Sequence, residues 1–134
     1  MQRRAIILFI GLLIPLAPAR AEWTPAGQDG FSKIYFDPAS RHKTADGALS
    51  LRALTDYDPA APEAAAFRLS EKGLSEIEEV LFDCAKGAYR SDGGVWYEGH
   101  MATGAERRNY AAKPDWGKIP SFYAALYAKA CAAP

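Results

Sequence analysis

Charge of one sign, cysteine, histidine and long apolar runs are all scarce in this chain. Sixteen Lys and Arg balance sixteen Asp and Glu, for a formal net charge of zero. With no basic excess there is no electrostatic case for binding nucleic acid or an anionic lipid surface. There are two histidines, His42 and His100, and two cysteines, Cys84 and Cys131. Zinc takes three or four Cys, His or carboxylate ligands, and this stock is thin once the cysteines are bonded to each other. The cysteine spacing also excludes a C-x-x-C redox motif. Ser70, Ser75 or Ser91 would need His100 as a base, and none stands in a G-x-S-x-G context. No two of the acids are marked out as a glycosidase pair. The composition therefore points away from an enzyme and away from a metal or cofactor.

The longest apolar run, Ala5 to Ala17, is about 13 residues, short of the ~20 that span a bilayer. It follows Met1-Gln2-Arg3-Arg4 and leads to Ala19-Arg20-Ala21, an A-x-A site. This is the form of a secretory leader, expected over residues 1–21 with cleavage after Ala21; cleavage after Ala19 is the near alternative. No cysteine follows that could carry a lipid, so a soluble periplasmic, secreted or cell-surface protein is expected rather than a lipoprotein. Three basic residues (Arg3, Arg4, Arg20) and no acid fall in the leader, leaving residues 22–134 mildly acidic. That remainder is one small domain with no transmembrane segment. In an exported chain, Cys84 and Cys131 pair as a disulfide or stay as two thiols. A bond would close a loop of about 48 residues and contribute roughly 4 kcal/mol in the chain-entropy picture.

Strand signals dominate the middle of the chain. Trp23 and Thr24, before Pro25 and Gly27, read as a short edge strand. Phe31 to Asp37 reads as a strand, stopped by the turn chemistry of Asp37-Pro38-Ala39-Ser40. Asp46-Gly47 is a hairpin-type turn. Ala48 to Tyr57 alternates as a strand, with Leu54 breaking the pattern. Asp58 to Ala66 reads as a connector, and Phe67-Arg68-Leu69 as the start of another strand. Ser75 and Glu78 have capping-box spacing, but Val80-Leu81-Phe82 favours a strand ending at Cys84. Glu76, Glu78 and Glu79 read as a solvated face. Ala88–Ser91 and Val95–Met101 read as a hairpin around Asp92-Gly93-Gly94, and Gly104 to Asp115 as a crossing loop. From Phe122, alanine and leucine predict a helix capped by Ser121, with Phe122, Tyr123, Leu126, Tyr127, Ala130 and Cys131 on one apolar face. The expected fold is α+β: one antiparallel sheet of about six strands, a C-terminal helix packed on one face, and a disulfide tether.

Candidate binding residues are few. Glu98 and His100 are two apart, and on a strand they share a face and read as a metal or haem site; a polar hairpin surface explains them as well. Three tryptophans and seven tyrosines supply either a binding face or core packing.

Trp23, Tyr35-Phe36-Asp37-Pro38, Thr55-Asp56-Tyr57, Ser70, Phe82-Asp83-Cys84, Trp116, Ile119-Pro120 and the helix ending at Cys131 come in an order that resembles the bacterial surface-adhesin protein E family. The resemblance implies a six-stranded antiparallel sheet with a C-terminal helix tied to it through Cys84 and Cys131. It also implies a non-enzymatic binding protein, with host matrix or serum proteins such as vitronectin, laminin or plasminogen as partners. Haem carriage, with His100 as the candidate ligand, and partnership with an envelope protein are the alternatives. Nothing in the pattern specifies an oligomer.

Overall fold

The computed structural model describes residues 21–132. The expected leader therefore lies, up to residue 20, outside the described residues. Six strands follow one another across a single antiparallel sheet: β1 (Thr24–Asp29), β2 (Ser32–Lys43), β3 (Leu49–Tyr57), β4 (Ser75–Asp83), β5 (Ala88–Tyr97) and β6 (Glu106–Tyr110). A two-residue strand, β7 (Gly117–Lys118), pairs with the start of β5. Two single-turn helices, α1 (Ala64–Phe67) and α2 (Leu69–Lys72), connect β3 to β4, and α3 (Ala124–Ala132) ends the described chain.

The register assigns every strand residue to one of two faces. Leu49, Leu51, Ala53 and Thr55 on β3 stand opposite Phe82, Val80, Glu78 and Glu76 on β4. We call this the inner face. At one end it lies under α3, whose Leu126 and Ala130, with Tyr123 just before it, close over Ile34, Leu51, Val80 and Phe82. Each large apolar side chain so buried contributes roughly 1.5–3 kcal/mol relative to exposure. At the other end Ala64, Phe67 and Leu69 cover Tyr57 and Trp96 in a second, aromatic cluster.

α3 is held to the sheet by a disulfide between Cys84, just past β4, and Cys131 in its last turn, with Cα atoms 5.6 Å apart. Arg41 donates to Ala130 O at 3.0 Å, a cation at the negative end of the helix. Lys129 reaches the β1 edge at Pro25 O, 3.1 Å away. The apolar face of the helix is narrower than the sequence suggests: Tyr123, Leu126 and Ala130 are buried, while Phe122 is exposed. Ser121 is not an N-cap. It sits in a 3₁₀ turn (Ser121–Tyr123) and donates to Asp29 Oδ2 at 3.0 Å.

Other local expectations give way to tertiary pairing. Asp37 to Ser40 does not end a strand. β2 runs through it, and the turn chemistry is spent on an irregularity in which Asp37 Oδ1 accepts from the Ala39 amide. Phe67-Arg68-Leu69 is helical, with Arg68 at φ 60° as the joint between α1 and α2. The expected strand leading to Cys84 is present as β4, with residues 75–81 in strand and paired on both sides. The hairpin around Gly93-Gly94 is absent: β5 runs straight through, and both glycines lie in the strand at a register shift. The polar stretch after Gly104 contains β6, an edge strand bearing Glu106, Arg107 and Arg108. Charge on an exposed edge opposes pairing with another chain. Leu54 does not break β3; it is fully buried on the outer face.

Candidate functional site: an open outer face and a buried carboxyl pair

Among the described residues the outer face carries no α-helix; a 3₁₀ turn (His100–Ala102) covers the ends of β3 and β4 there, its Met101 and Ala102 amides donating to Asp56 Oδ1 and Ser75 Oγ. The middle of the face is a ladder of Tyr35, Leu54, Ile77 and Val95 across four strands. Trp23, just ahead of β1, lies over Arg52 with the guanidinium carbon 5.7 Å from the ring centroid. Arg52 also stands 3.6 Å from Glu79 and 3.9 Å from Asp37. Further along the same face Arg90 lies 5.0 Å from the Trp116 ring centroid. Trp116 and Phe122 are the large apolar side chains most exposed among the described residues. Beside Trp23 a shallow depression of about 460 Å³ is lined by Ile77, Tyr97 and Met101. A second, of about 380 Å³, shares Arg52, Ile77 and Tyr97 and extends toward Asp92 and Asn109. The face thus offers two indole–guanidinium stacks, one at the exposed Trp116 and one at the half-buried Trp23. Such surfaces suit a protein partner, since tryptophan and arginine dominate contact energies.

The candidates Glu98 and His100 are not strand neighbours. β5 ends at Tyr97, and His100 opens a 3₁₀ turn (His100–Ala102). Glu98 is exposed, and its amide donates to Ala105 O. His100 faces a different cleft, of about 310 Å³, lined also by Phe31, Lys33, Tyr57 and Asp58. There its Nδ1 lies 3.1 Å from Asp56 Oδ1, which also accepts from the Met101 amide at 2.8 Å. Asp56 thus orients a half-exposed imidazole and fixes the turn. Among the described residues no three His, Cys, Asp or Glu side chains gather closely enough to hold a metal ion.

The inner face holds a group that the sequence reading placed in solvent. Glu76 and Glu78 point inward between the two apolar clusters, and Glu78 is buried. Tyr57 Oη donates to Glu76 Oε1 at 2.7 Å, and Tyr89 Oη to Glu78 Oε1 at 2.7 Å. Ser91 Oγ donates to Glu78 Oε2 at 3.0 Å. Tyr110 Oη lies between the carboxyls, 3.1 Å from Glu76 Oε2 and 2.9 Å from Glu78 Oε2. Burial pushes the Glu76 carboxyl up to about 7, against the opposing effect of the Tyr57 hydrogen bond. Burial, and then the neighbouring carboxylates, drive the Tyr57, Tyr89 and Tyr110 phenols far above their ordinary value, so these hydroxyls remain donors. A signal for this group was present: Glu76 and Glu78 are in phase with the core residues Val80 and Phe82, at the strand period of two.

A single antiparallel meander with a disulfide-tied helix on one face and an open, indole-bearing opposite face is the class of small binding module. The family model for surface-adhesin protein E matches residues 23–132, and the chain belongs to that family. This makes it an adhesin-like surface or exported protein. No curated protein and no solved structure matches it.

Proposed function

We propose that the protein is an exported, non-enzymatic binding protein that holds a host matrix or serum protein against the outer face of its sheet. Family membership supports the adhesin role. The observation that carries the choice of face is the pair of indole–guanidinium stacks, Trp23 on Arg52 and Trp116 on Arg90. The inner face is occupied by α3, α1 and α2, and one end of the outer face by the 3₁₀ turn His100–Ala102, so the rest of the outer face is the broad surface left for a partner. Each stack presents a rigid aromatic plate backed by a cation, the composition of an interface anchor.

The experiment is binding of the mature chain to an immobilised panel of matrix and serum proteins. Trp23→Ala and Trp116→Ala should each weaken binding about ten-fold or more, on the scale of a contact hot spot. Glu98→Ala, away from both stacks, should leave it unchanged. Panel-wide absence of binding, or a Trp23→Ala/Trp116→Ala double variant that binds like the parent, defeats the reading. Cell fractionation that finds the chain in the cytoplasm defeats its export.

A further inference from the structure

Five contacts link the inner-face carboxyls to their hydroxyl neighbours: Tyr57–Glu76, Glu76–Tyr110, Tyr110–Glu78, Tyr89–Glu78 and Ser91–Glu78. Four hydroxyl protons are available, one each from Tyr57, Tyr89, Tyr110 and Ser91. The fifth contact is a hydrogen bond only if one carboxyl carries a proton. With both ionised, Tyr110 donates to one carboxylate and meets the lone pairs of the other.

We propose that Glu76, Tyr110 and Glu78 form a proton-dependent clamp: one shared proton locks the end of β6 onto the sheet, and its loss releases that edge strand. In the locked state the Glu76 carboxyl donates to Tyr110 Oη and Tyr110 donates to Glu78. Loss of the proton leaves two carboxylates on one hydroxyl, and like charges at such a site disfavour each other. The strain falls on Tyr110, because Glu76 and Glu78 belong to a central strand paired on both sides, whereas β6 is an edge paired only with β5. Tyr110 is also the last residue of β6, paired with Gly94, and the next backbone tie to β5 comes only at Lys113, whose amide donates to Ser91 O.

The surroundings favour the protonated state on balance. Tyr57 comes from β3, Tyr89 and Ser91 from β5, Tyr110 from β6, and Tyr123 from the 3₁₀ turn before α3; all are neutral in the range of interest. Among the described residues the cation acting on Glu76 is Lys72 of α2, which lies 3.9 Å from the Phe67 ring centroid and favours ionisation of Glu76. Burial outweighs it, and the Glu76 carboxyl titrates near neutral pH. The clamp thus sits within the pH range an exported protein meets. It does not depend on the partner, so its failure and that of the binding surface are separable.

The test is amide exchange followed residue by residue on the intact protein. Protection factors, corrected for intrinsic exchange, should fall about ten-fold at those amides of Arg108 to Tyr110 that bond to β5 between pH 6 and pH 8, while those of β3 hold. In Glu76→Gln the amide supplies a permanent donor to Tyr110, so the fall should vanish. In Tyr110→Phe, protection at β6 should be low at both pH values, which keeps the test decisive should the glutamine variant not fold. Equal β6 protection at pH 6 and pH 8 in the parent overturns the clamp. So does an unchanged fall in Glu76→Gln, or a pH-dependent one in Tyr110→Phe.

Discussion

Gly94 decides where Tyr110 can stand. A Cβ at this position would overlap the Tyr110 hydroxyl and come within 2.6 Å of Ile77 O. The bare backbone of β5 is the passage through which the phenol of β6 reaches the carboxyls of β4. Gly94→Ala is therefore expected to destabilise the fold by roughly 1–3 kcal/mol, as overpacking does, measurable by urea unfolding. Glu76 adds a pH dependence whose sign follows from its raised value. The carboxyl rises from 4.5 to about 7 on folding, so its contribution is fully present below about pH 4.5 and is lost as pH climbs to 7. Its ionisation should remove on the order of 3 kcal/mol between pH 5 and pH 8, seen as the difference between the parent and Glu76→Gln in unfolding free energy. A parent that gains stability over that range relative to Glu76→Gln would contradict the assignment. The Gly94 role was not visible locally, because a double glycine looks like a turn until the strands on both sides are known; for Glu76 the period-two phase with Val80 and Phe82 was a signal that the acid-rich run masked.

Among the elements, those whose sequence pattern was strong kept their type. β3 and α3 follow from alternation and from alanine with leucine, and the Asp46-Gly47 turn joins β2 to β3. β4 was balanced between a capping-box helix and a β-branched strand, and pairing with β3 and β5 tipped it, since each side offers a full ladder of backbone partners. β5 and β6 were misread for one reason. Glycine and charge are turn and loop signals in isolation, but β5 needs glycine for close approach and β6 needs charge as an open edge. The tether of α3 carries its own expectation. Reducing the disulfide, or making Cys131→Ser, should lower stability by up to about 4 kcal/mol, the loop-closure value, without unfolding the sheet at 25 °C. Denaturant midpoints with and without reductant measure it. Tyr123, Leu126 and Ala130 remain buried contacts that do not involve sulfur, which is why partial rather than total loss is expected.

At the scale of the molecule, the two faces of one sheet divide the work. The inner face is closed by helices at both ends and keeps Glu76 and Glu78 in a counted hydrogen-bond set. The outer face is left open, with its tryptophans backed by arginines. The sequence pattern alone determined part of this: alternation with an alanine-rich tail specified a sheet followed by a helix. Those properties are local or additive, so a linear reading captures them. Which acids are buried, which glycines admit a neighbour, and which tryptophans stay exposed were decided only by the register of strands far apart in sequence. Burial belongs to a face, and a face exists only once its neighbouring strands have paired.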